Sequence, residues 1–157
     1  MKFTFPKSER LTHIKSIDSL FQKDSQIVSQ RFFYPFRVLY RTSDLKSDSP
    51  QILISVPKRK FKKAVDRNVI KRRTREAYRL TKPEFQGLAY NKLPDIMGFI
   101  YIGTDIESFE LIQKKMHQIF TAFTKNENLK HLSFIVGISI ILFYIKEKYN
   151  LELFNKF

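Results

Sequence analysis

The stretch Lys58–Arg79, which reads KRKFKKAVDRNVIKRRTREAYR, is the most basic and most regularly patterned part of this 157-residue chain. It holds 11 of the 29 lysines and arginines, and only Asp66 and Glu76 oppose them, so it carries +9 (11 − 2) of the formal net charge of +14. A solvated helix face normally alternates acidic and basic residues, whereas an unopposed row of cations repels itself until a polyanion neutralises it. This segment therefore favours nucleic-acid binding over an ordinary charged surface.

From about Asp66 onward the segment has a helical period. One side carries a basic residue every four positions, namely Arg67, Lys71, Arg75 and Arg79. Asn68 and Arg72 flank this row. The opposite arc carries the apolar residues Val69, Ile70, Ala77 and Leu80. The pattern predicts a helix with an apolar back, which docks on the domain, and a cationic front, which faces a partner.

Four short motifs follow one another here: Ser55-Val56-Pro57-Lys58-Arg59, Ala64-Val65-Asp66-Arg67-Asn68, Ile70-Lys71-Arg72 and Arg75-Glu76-Ala77-Tyr78. In this order they closely resemble the signature of the bacterial ribonuclease P protein component. Val69 departs from it by replacing the second arginine of the family's Arg-Asn-Arg, and Arg73 and Thr74 stand where aliphatic residues are usual. Arg73 lies on the apolar arc, so we expect its guanidinium to reach outward along its stem.

The resemblance implies the protein subunit of a ribonucleoprotein that removes the 5′ leader from precursor tRNA. It implies that the RNA subunit performs the hydrolysis and mainly holds the Mg²⁺, so no catalytic or metal-binding residue is expected in the protein. The protein is expected to bind the RNA subunit and the single-stranded leader, and to raise the affinity for substrate and Mg²⁺. The expected RNA-binding residues are Lys58, Arg59, Lys62, Lys63, Arg67, Asn68, Lys71, Arg72, Arg75 and Arg79.

A leader-binding cleft is expected beside the first predicted helix, which starts after Thr12 as the N-cap and runs to about Lys23. Its apolar positions are mostly core candidates. The resemblance nevertheless places Ile17 and Phe21 of this helix, and Tyr40 of a following strand, along the cleft. Aromatic rings there would stack on leader bases.

The rest of the chain predicts an α+β fold. Phe32–Arg41 (FFYPFRVLYR) alternates as one strand, with Phe32 and Tyr40 on the same face and Pro35 marking an edge or a bulge, and a short strand over Gln26–Ser29 precedes it. Further strands are predicted at Gln51–Val56 and, centrally, at Ile96–Gly103. Tyr78–Asp95 is read as an irregular connection, and a last helix starts near Ser108.

These elements give three helices and about four strands in a mixed sheet, in the order α-β-β-(β)-α-β-α. The resemblance implies a two-layer α/β sandwich whose β-α-β crossover is left-handed, an exception to the usual rule. It covers about Phe5 to Phe123, so we expect an RNA-binding domain at 1–124 and an extension at 125–157 of unknown role. Leu132–Ile145 is apolar over 14 residues, short of the roughly 20 that a bilayer span needs. We interpret it as an extra helix or strand packed on the domain, with membrane association as the alternative.

The amino-acid composition limits the cellular compartments and the kinds of metal or catalytic site that are expected. The chain has no cysteine, which excludes disulfides and thiolate metal sites. Its start has no apolar run of the kind found in secretion signals, so a cytoplasmic location is expected. His13, His117 and His131 are scattered without partners at ligand spacing. The sequence thus predicts neither a protein-held metal nor an independent nuclease.

Two alternatives belong to other functional classes. A non-enzymatic RNA-binding or ribosome-associated basic protein fits the composition equally well, and only the ordered motifs favour the ribonucleoprotein. A helix-turn-helix DNA binder would need a helix just before the basic one, where the strand Gln51–Val56 and Pro57 stand instead. DNA is therefore not an expected partner, and the oligomeric state is left open.

Overall fold

The structure, a computed structural model, describes residues 4–22, 27–42, 49–85 and 92–125. Within them the chain forms three helices and four strands: α1 Ile14–Phe21, β1 Ser29–Phe33, β2 Phe36–Arg41, β3 Gln51–Ser55, α2 Ala64–Thr81, β4 Ile96–Tyr101 and α3 over 109–125. Short 3-10 turns lie at Lys7–Glu9 and Lys82–Phe85. The predicted α+β class and element order are confirmed.

The sheet is mixed and has the strand order β1-β2-β4-β3. β1 and β2, and β2 and β4, pair antiparallel, whereas β3 and β4 pair parallel. β4 lies between two neighbours and all six of its residues are buried, which confirms the predicted central strand. α2 makes the crossover between β3 and β4. The left hand that the resemblance implies for this crossover stays a prediction.

The prediction of one long strand over Phe32–Arg41 is wrong. Tyr34 and Pro35 form the turn of a hairpin, and Phe33 pairs with Phe36 across it. Proline has no N–H to give to a strand ladder, so it fits the turn better than the strand interior. Because the chain reverses there, Phe32 pairs with Arg37 and shares that residue's face of the sheet instead of Tyr40's.

The larger part of the core lies between one face of the sheet and the helices α2 and α3. α2 contributes Ile70, Thr74, Ala77, Tyr78 and Thr81, all fully buried or nearly so. α3 contributes an apolar stripe of Ile112, Met116, Ile119, Phe120 and Phe123. These two helices and the sheet form the layers of the predicted sandwich.

The back of α2 differs in detail from the prediction. Val69 and Leu80 are only half-buried, and Tyr78, which was assigned to an irregular connection, is a core residue inside the helix. The helix continues to Thr81. The ring centroid of Tyr78 lies 5.8 Å from that of Phe120, so the apolar side of α2 continues for one more turn. The sequence pattern does not show this turn because charged residues flank Tyr78.

A second, smaller cluster lies on the opposite face of the sheet, under α1. It contains Leu11, Leu20, Leu39, Ile96 and Ile100. Gly98 allows α1 to approach closely, because a Cβ at that position would lie 2.7 Å from Leu20 Cδ2. The predicted N-cap at Thr12 is wrong: His13 occupies the cap position, and its side chain makes no capping hydrogen bond.

The segment before α1 is fastened to the domain by a buried acid. Glu9 is almost fully buried and accepts a hydrogen bond from the Tyr78 hydroxyl at 3.0 Å, while its other carboxylate oxygen pairs with Lys82. Leu11 N–H donates to the Ile52 carbonyl of β3 at 3.0 Å. These contacts hold Phe5 and Arg10 beside α2.

No helix among the described residues has the length and apolar character that crossing a bilayer requires. The apolar run Leu132–Ile145, with residues 126–157 generally, lies outside the described residues. Most of the connection between β2 and β3 also lies outside them, since residues 43–48 are not described.

Candidate nucleic-acid interface

The predicted RNA-binding residues lie together on α2 and on the loop that leads into it from β3. Seven of them are exposed: Lys58, Arg59, Lys62, Lys63, Asn68, Arg72 and Arg75. Arg67, Lys71 and Arg79 are half-buried. We call this continuous surface the basic face.

The N-terminus of α2 adds to the positive potential of the basic face. Lys63 occupies the cap position without a capping hydrogen bond from its side chain, and Lys62 precedes it. The free N–H groups of a first helical turn and the helix dipole both favour an anion there. The chain thus places lysines where a helix already attracts phosphate.

Arg67 has a structural task besides its charge. Its guanidinium donates to the carbonyl oxygens of Phe61 and Lys62, both at 2.7 Å. Phe61 is itself buried, with its ring 5.7 Å from that of Tyr101. Arg67 therefore fixes the path of the basic loop as it enters α2.

The other cations of α2 differ in whether they are already engaged. Arg79 Nε donates to Glu76 Oε2 at 2.9 Å, and this hydrogen bond lowers the pKa of Glu76 and raises that of Arg79. Arg72 and Arg75, by contrast, have no hydrogen bond or ion pair within the part of the chain that the structure describes. Their guanidinium groups are available to phosphates.

The two departures on the apolar arc are both accommodated. Arg73 is half-buried, and its guanidinium donates to the Glu107 carbonyl just before α3. Thr74 is fully buried, but its hydroxyl donates to the Ile70 carbonyl one turn earlier at 2.8 Å. No buried polar atom of Thr74 is left unsatisfied, so the helix packs without an aliphatic residue there.

A groove with a volume of about 880 Å³ runs between α2 and the segment before α1. We call it the arginine groove. Its lining includes Phe5, Arg10, Val69, Arg72, Arg75 and Phe109. Phe5, Arg10 and Phe109 were not predicted as site residues, because they come from segments far from α2 in sequence and no local pattern connects them.

A second cavity, of about 400 Å³, opens between α1 and the sheet, and Phe21 lines it together with Gln30 and Arg37. We call it the α1 cleft. Arg37 Nε is buried and has no hydrogen-bond partner among the described residues. Ile17 is half-buried and packs against the apolar cluster under α1, and it does not line the cleft.

Sequence reasoning missed Gln30, Arg37 and Phe32 as cleft candidates. They were missed because the turn at Pro35 was not predicted. Once the hairpin is known, strand alternation places Gln30 and Phe32 on the same face of the sheet as Arg37 and Leu39. Phe32 is 63% exposed, an unusual state for a ring beside a cavity.

The structure does not bring Tyr40 together with Phe21. Tyr40 neighbours Leu39 in β2, and Leu39 packs under α1, so Tyr40 faces the opposite side of the sheet. Its ring centroid lies 4.7 Å from that of Phe123 in α3, and the Arg31 guanidinium lies 5.7 Å from it. Tyr40 is thus a packing residue of the larger core.

Among the described residues, no group of three or more His, Cys, Asp or Glu side chains could hold a metal ion. His13 lies 3.2 Å from the Ser16 hydroxyl, and His117 lies 3.2 Å from a Glu84 carboxylate oxygen. His131 lies outside the described residues.

Comparisons with known proteins agree with the motifs. The protein family described as Ribonuclease P matches residues 5–124. Ribonuclease P protein components from two strains of Porphyromonas gingivalis are each 32% identical over 118 residues, which cover 74% of this chain and 83% of theirs. That of Chlorobium phaeobacteroides is 37% identical over 87 residues, or 49% of this chain and 60% of its own. The domain that carries the basic face and the α1 cleft thus belongs, over nearly its whole length, to the ribonuclease P protein component family.

Proposed function

We propose that this chain is the protein subunit of a cytoplasmic ribonuclease P, which cleaves the 5′ leader from precursor tRNA. The observation that carries the proposal is the basic face, on a domain that the family matches. Its exposed cations have no acidic partner in the part of the chain that the structure describes. In this proposal the RNA subunit performs the hydrolysis and mainly holds the Mg²⁺. No residue of the protein acts as a catalytic group.

The basic face is proposed to bind the RNA subunit. Arg72, Arg75 and Lys71 supply cations that no described partner occupies, and the lysines of the loop extend the same surface toward the helix N-terminus. Such contacts release counterions, so each neutralised phosphate steepens the dependence of binding on salt. Asn68, exposed and uncharged, is placed to donate to a phosphate or a sugar.

The α1 cleft is proposed to bind the single-stranded leader. Phe21 and Phe32 are exposed rings on which bases can stack, and Arg37 supplies a guanidinium whose Nε lacks a partner among the described residues. A cleft that offers rings and one cation holds a strand with little regard to its sequence. Ile17 supports this site from beneath by packing α1 on the sheet.

Bridging the two RNAs explains how a protein without catalytic groups would assist the reaction. Contacts with the leader and with the RNA subunit hold the substrate in place, which raises its affinity. The basic face also reduces the repulsion between phosphates that Mg²⁺ would otherwise have to screen. The benefit should therefore be largest at low Mg²⁺.

The deciding experiment is cleavage of a precursor tRNA by the matching RNA subunit at low, near-physiological Mg²⁺, with and without the protein. We expect cleavage at the mature 5′ end only when both are present. Cleavage by protein alone would contradict the assignment of hydrolysis to the RNA subunit. Binding of RNA without any stimulation would favour a non-enzymatic RNA-binding protein instead.

A further inference from the structure

The arginine groove combines two kinds of surface that a plain phosphate site does not need. Among the described residues, its walls carry five arginines, Arg10, Arg72, Arg73, Arg75 and Arg79, against one carboxylate, that of Glu76. Its interior also includes the side chains of Phe5, Val69 and Phe109. A surface that only neutralised phosphates would not need apolar side chains beside its cations.

Two of the arginines that line the groove have no hydrogen-bond or ion-pair partner among the described residues. Arg79 is held by Glu76, and Arg73 by the Glu107 carbonyl. Arg10 donates to the Phe5 carbonyl at 3.1 Å. Arg72 and Arg75, one helical turn apart on α2, are exposed and have no partner among the described residues. They are placed to receive an anion that enters the groove.

The apolar side of the groove is rigidly supported. The Phe5 ring packs edge-on against the buried Tyr78 ring at 5.1 Å, and the Arg10 guanidinium lies 5.3 Å from its centroid. Phe109 opens α3 and packs against the larger core, while Val69 is half-buried on α2. A ligand would thus find a preformed apolar wall beside free guanidinium groups.

We propose that the arginine groove binds one unpaired nucleotide of an RNA, with its base against Phe5, Val69 and Phe109 and its phosphates on Arg72 and Arg75. A nucleotide unites a flat, largely apolar base with an anion, which is the combination that these walls complement. The groove, of about 880 Å³, is open on one side, so a base would lie against its apolar wall and remain partly exposed. The inference rests on the proposed function, because it assumes that RNA covers the basic face.

The test uses tryptophan as a local reporter, since the chain contains none. Phe109→Trp places a single indole in the groove, and Phe5→Trp gives a second, independent reporter there. Each variant is titrated with the RNA subunit alone and then with precursor tRNA in the holoenzyme. Quenching that follows binding is expected, and the titration in which it appears identifies which RNA supplies the nucleotide. Circular dichroism and urea unfolding verify that each reporter is folded.

Val69→Arg separates a base site from simple electrostatics, because it fills the apolar wall while adding a cation. If the groove takes a base, Val69→Arg abolishes quenching of the reporter, although overall RNA affinity measured by filter binding is equal or higher. If the groove only neutralises phosphates, Val69→Arg would bind RNA more tightly, and the fluorescence quenching of the tryptophan reporter would be unchanged. Phe32→Trp, next to Arg37 on the face of the sheet that carries the α1 cleft, serves as the matched control reporter, whose quenching Val69→Arg should leave unchanged.

The failures of the two proposals are distinguishable. Tight RNA binding without quenching of either groove reporter overturns the nucleotide site and leaves the proposed function standing. Quenching that persists in Val69→Arg also overturns it. Absence of any binding to the RNA subunit, in wild type and variants alike, overturns the proposed function and the nucleotide site with it.

Discussion

At the scale of single residues, Glu9 shows how a buried charge organises this domain. It is 3% exposed, and its two carboxylate oxygens are engaged by Tyr78 and Lys82. A buried carboxylate is costly unless it is paired and hydrogen-bonded. The main effect of the Glu9–Lys82 pair is therefore to fix the position of the segment before α1, and its net contribution to stability is smaller. That segment forms one wall of the arginine groove.

Glu9→Ala is expected to destabilise the protein by about 3 kcal/mol, because it removes the buried carboxylate to which both the Lys82 ammonium and the Tyr78 hydroxyl bind. Urea unfolding measures the change. The matched control is Glu84→Ala, which breaks the exposed pair with His117 and is expected to cost less than about 0.5 kcal/mol. Equal losses for the two variants would show that burial of Glu9 has no energetic consequence.

Gly98 is the second residue at which packing restricts the side chain. A Cβ there would lie 2.7 Å from Leu20 Cδ2, and Leu20 is itself buried. Gly98→Ala is expected to destabilise the protein by roughly 1–3 kcal/mol through overpacking. In a Leu20→Ala background the clash is absent, so the same substitution should cost almost nothing. A double-mutant cycle by urea unfolding measures this coupling, and additive losses would contradict the predicted contact.

At the scale of elements, α2 was the most predictable part of the chain and β1–β2 the least. The period of Arg67, Lys71, Arg75 and Arg79 is local, so the sequence shows the helix and its cationic side directly. Which cations are free is not local, since the acceptors of Arg67 and Arg73 are carbonyls of the preceding loop and of the segment before α3. Local alternation likewise cannot distinguish a strand from a hairpin when it continues across the turn at Pro35.

The difference between engaged and free arginines yields a prediction for α2. Arg72→Gln combined with Arg75→Gln should leave the free energy of unfolding within about 0.5 kcal/mol of wild type, because both side chains are exposed and unpartnered among the described residues. The same pair should reduce the log–log salt slope of RNA-subunit binding by roughly 1.4 to 1.8, for two phosphates. Filter binding across a range of salt concentrations measures the slope, and an unchanged slope would remove both residues from the interface.

Arg67→Ala should behave in the opposite way. It removes two charge-assisted hydrogen bonds to the Phe61 and Lys62 carbonyls, so a loss of about 2 kcal/mol in the free energy of unfolding is expected. Urea unfolding measures the loss, and Lys71→Ala, one turn along the same row and without a described partner, is its control. If Arg67→Ala were as stable as Lys71→Ala, the hydrogen bonds from Arg67 to the loop carbonyls would not contribute to the free energy of unfolding.

At the scale of the whole domain, the two faces of one sheet have different tasks. α2 and α3 seal one face with the larger core, whereas α1, only eight residues long, covers part of the other and leaves the α1 cleft beside it. Strand alternation therefore decides whether a residue supports the fold or meets a ligand. An unbroken strand would have placed Phe32 and Tyr40 on the same face of the sheet, whereas the hairpin places them on opposite faces. Tyr40, the ring expected in the cleft, therefore packs in the core.

This division predicts opposite outcomes for the two rings. Tyr40→Ala should lower the free energy of unfolding by about 3 kcal/mol, because the ring packs on Phe123, and should affect precursors with long and short leaders equally. Phe32→Ala, at an exposed position, should leave stability nearly unchanged. It should weaken binding of long-leader precursor by roughly 1–3 kcal/mol, the contribution of one stacked base, and leave mature tRNA unaffected. Holoenzyme affinities for the three RNAs measure these effects, and a leader-dependent loss in Tyr40→Ala without one in Phe32→Ala would place the leader on the other face of the sheet.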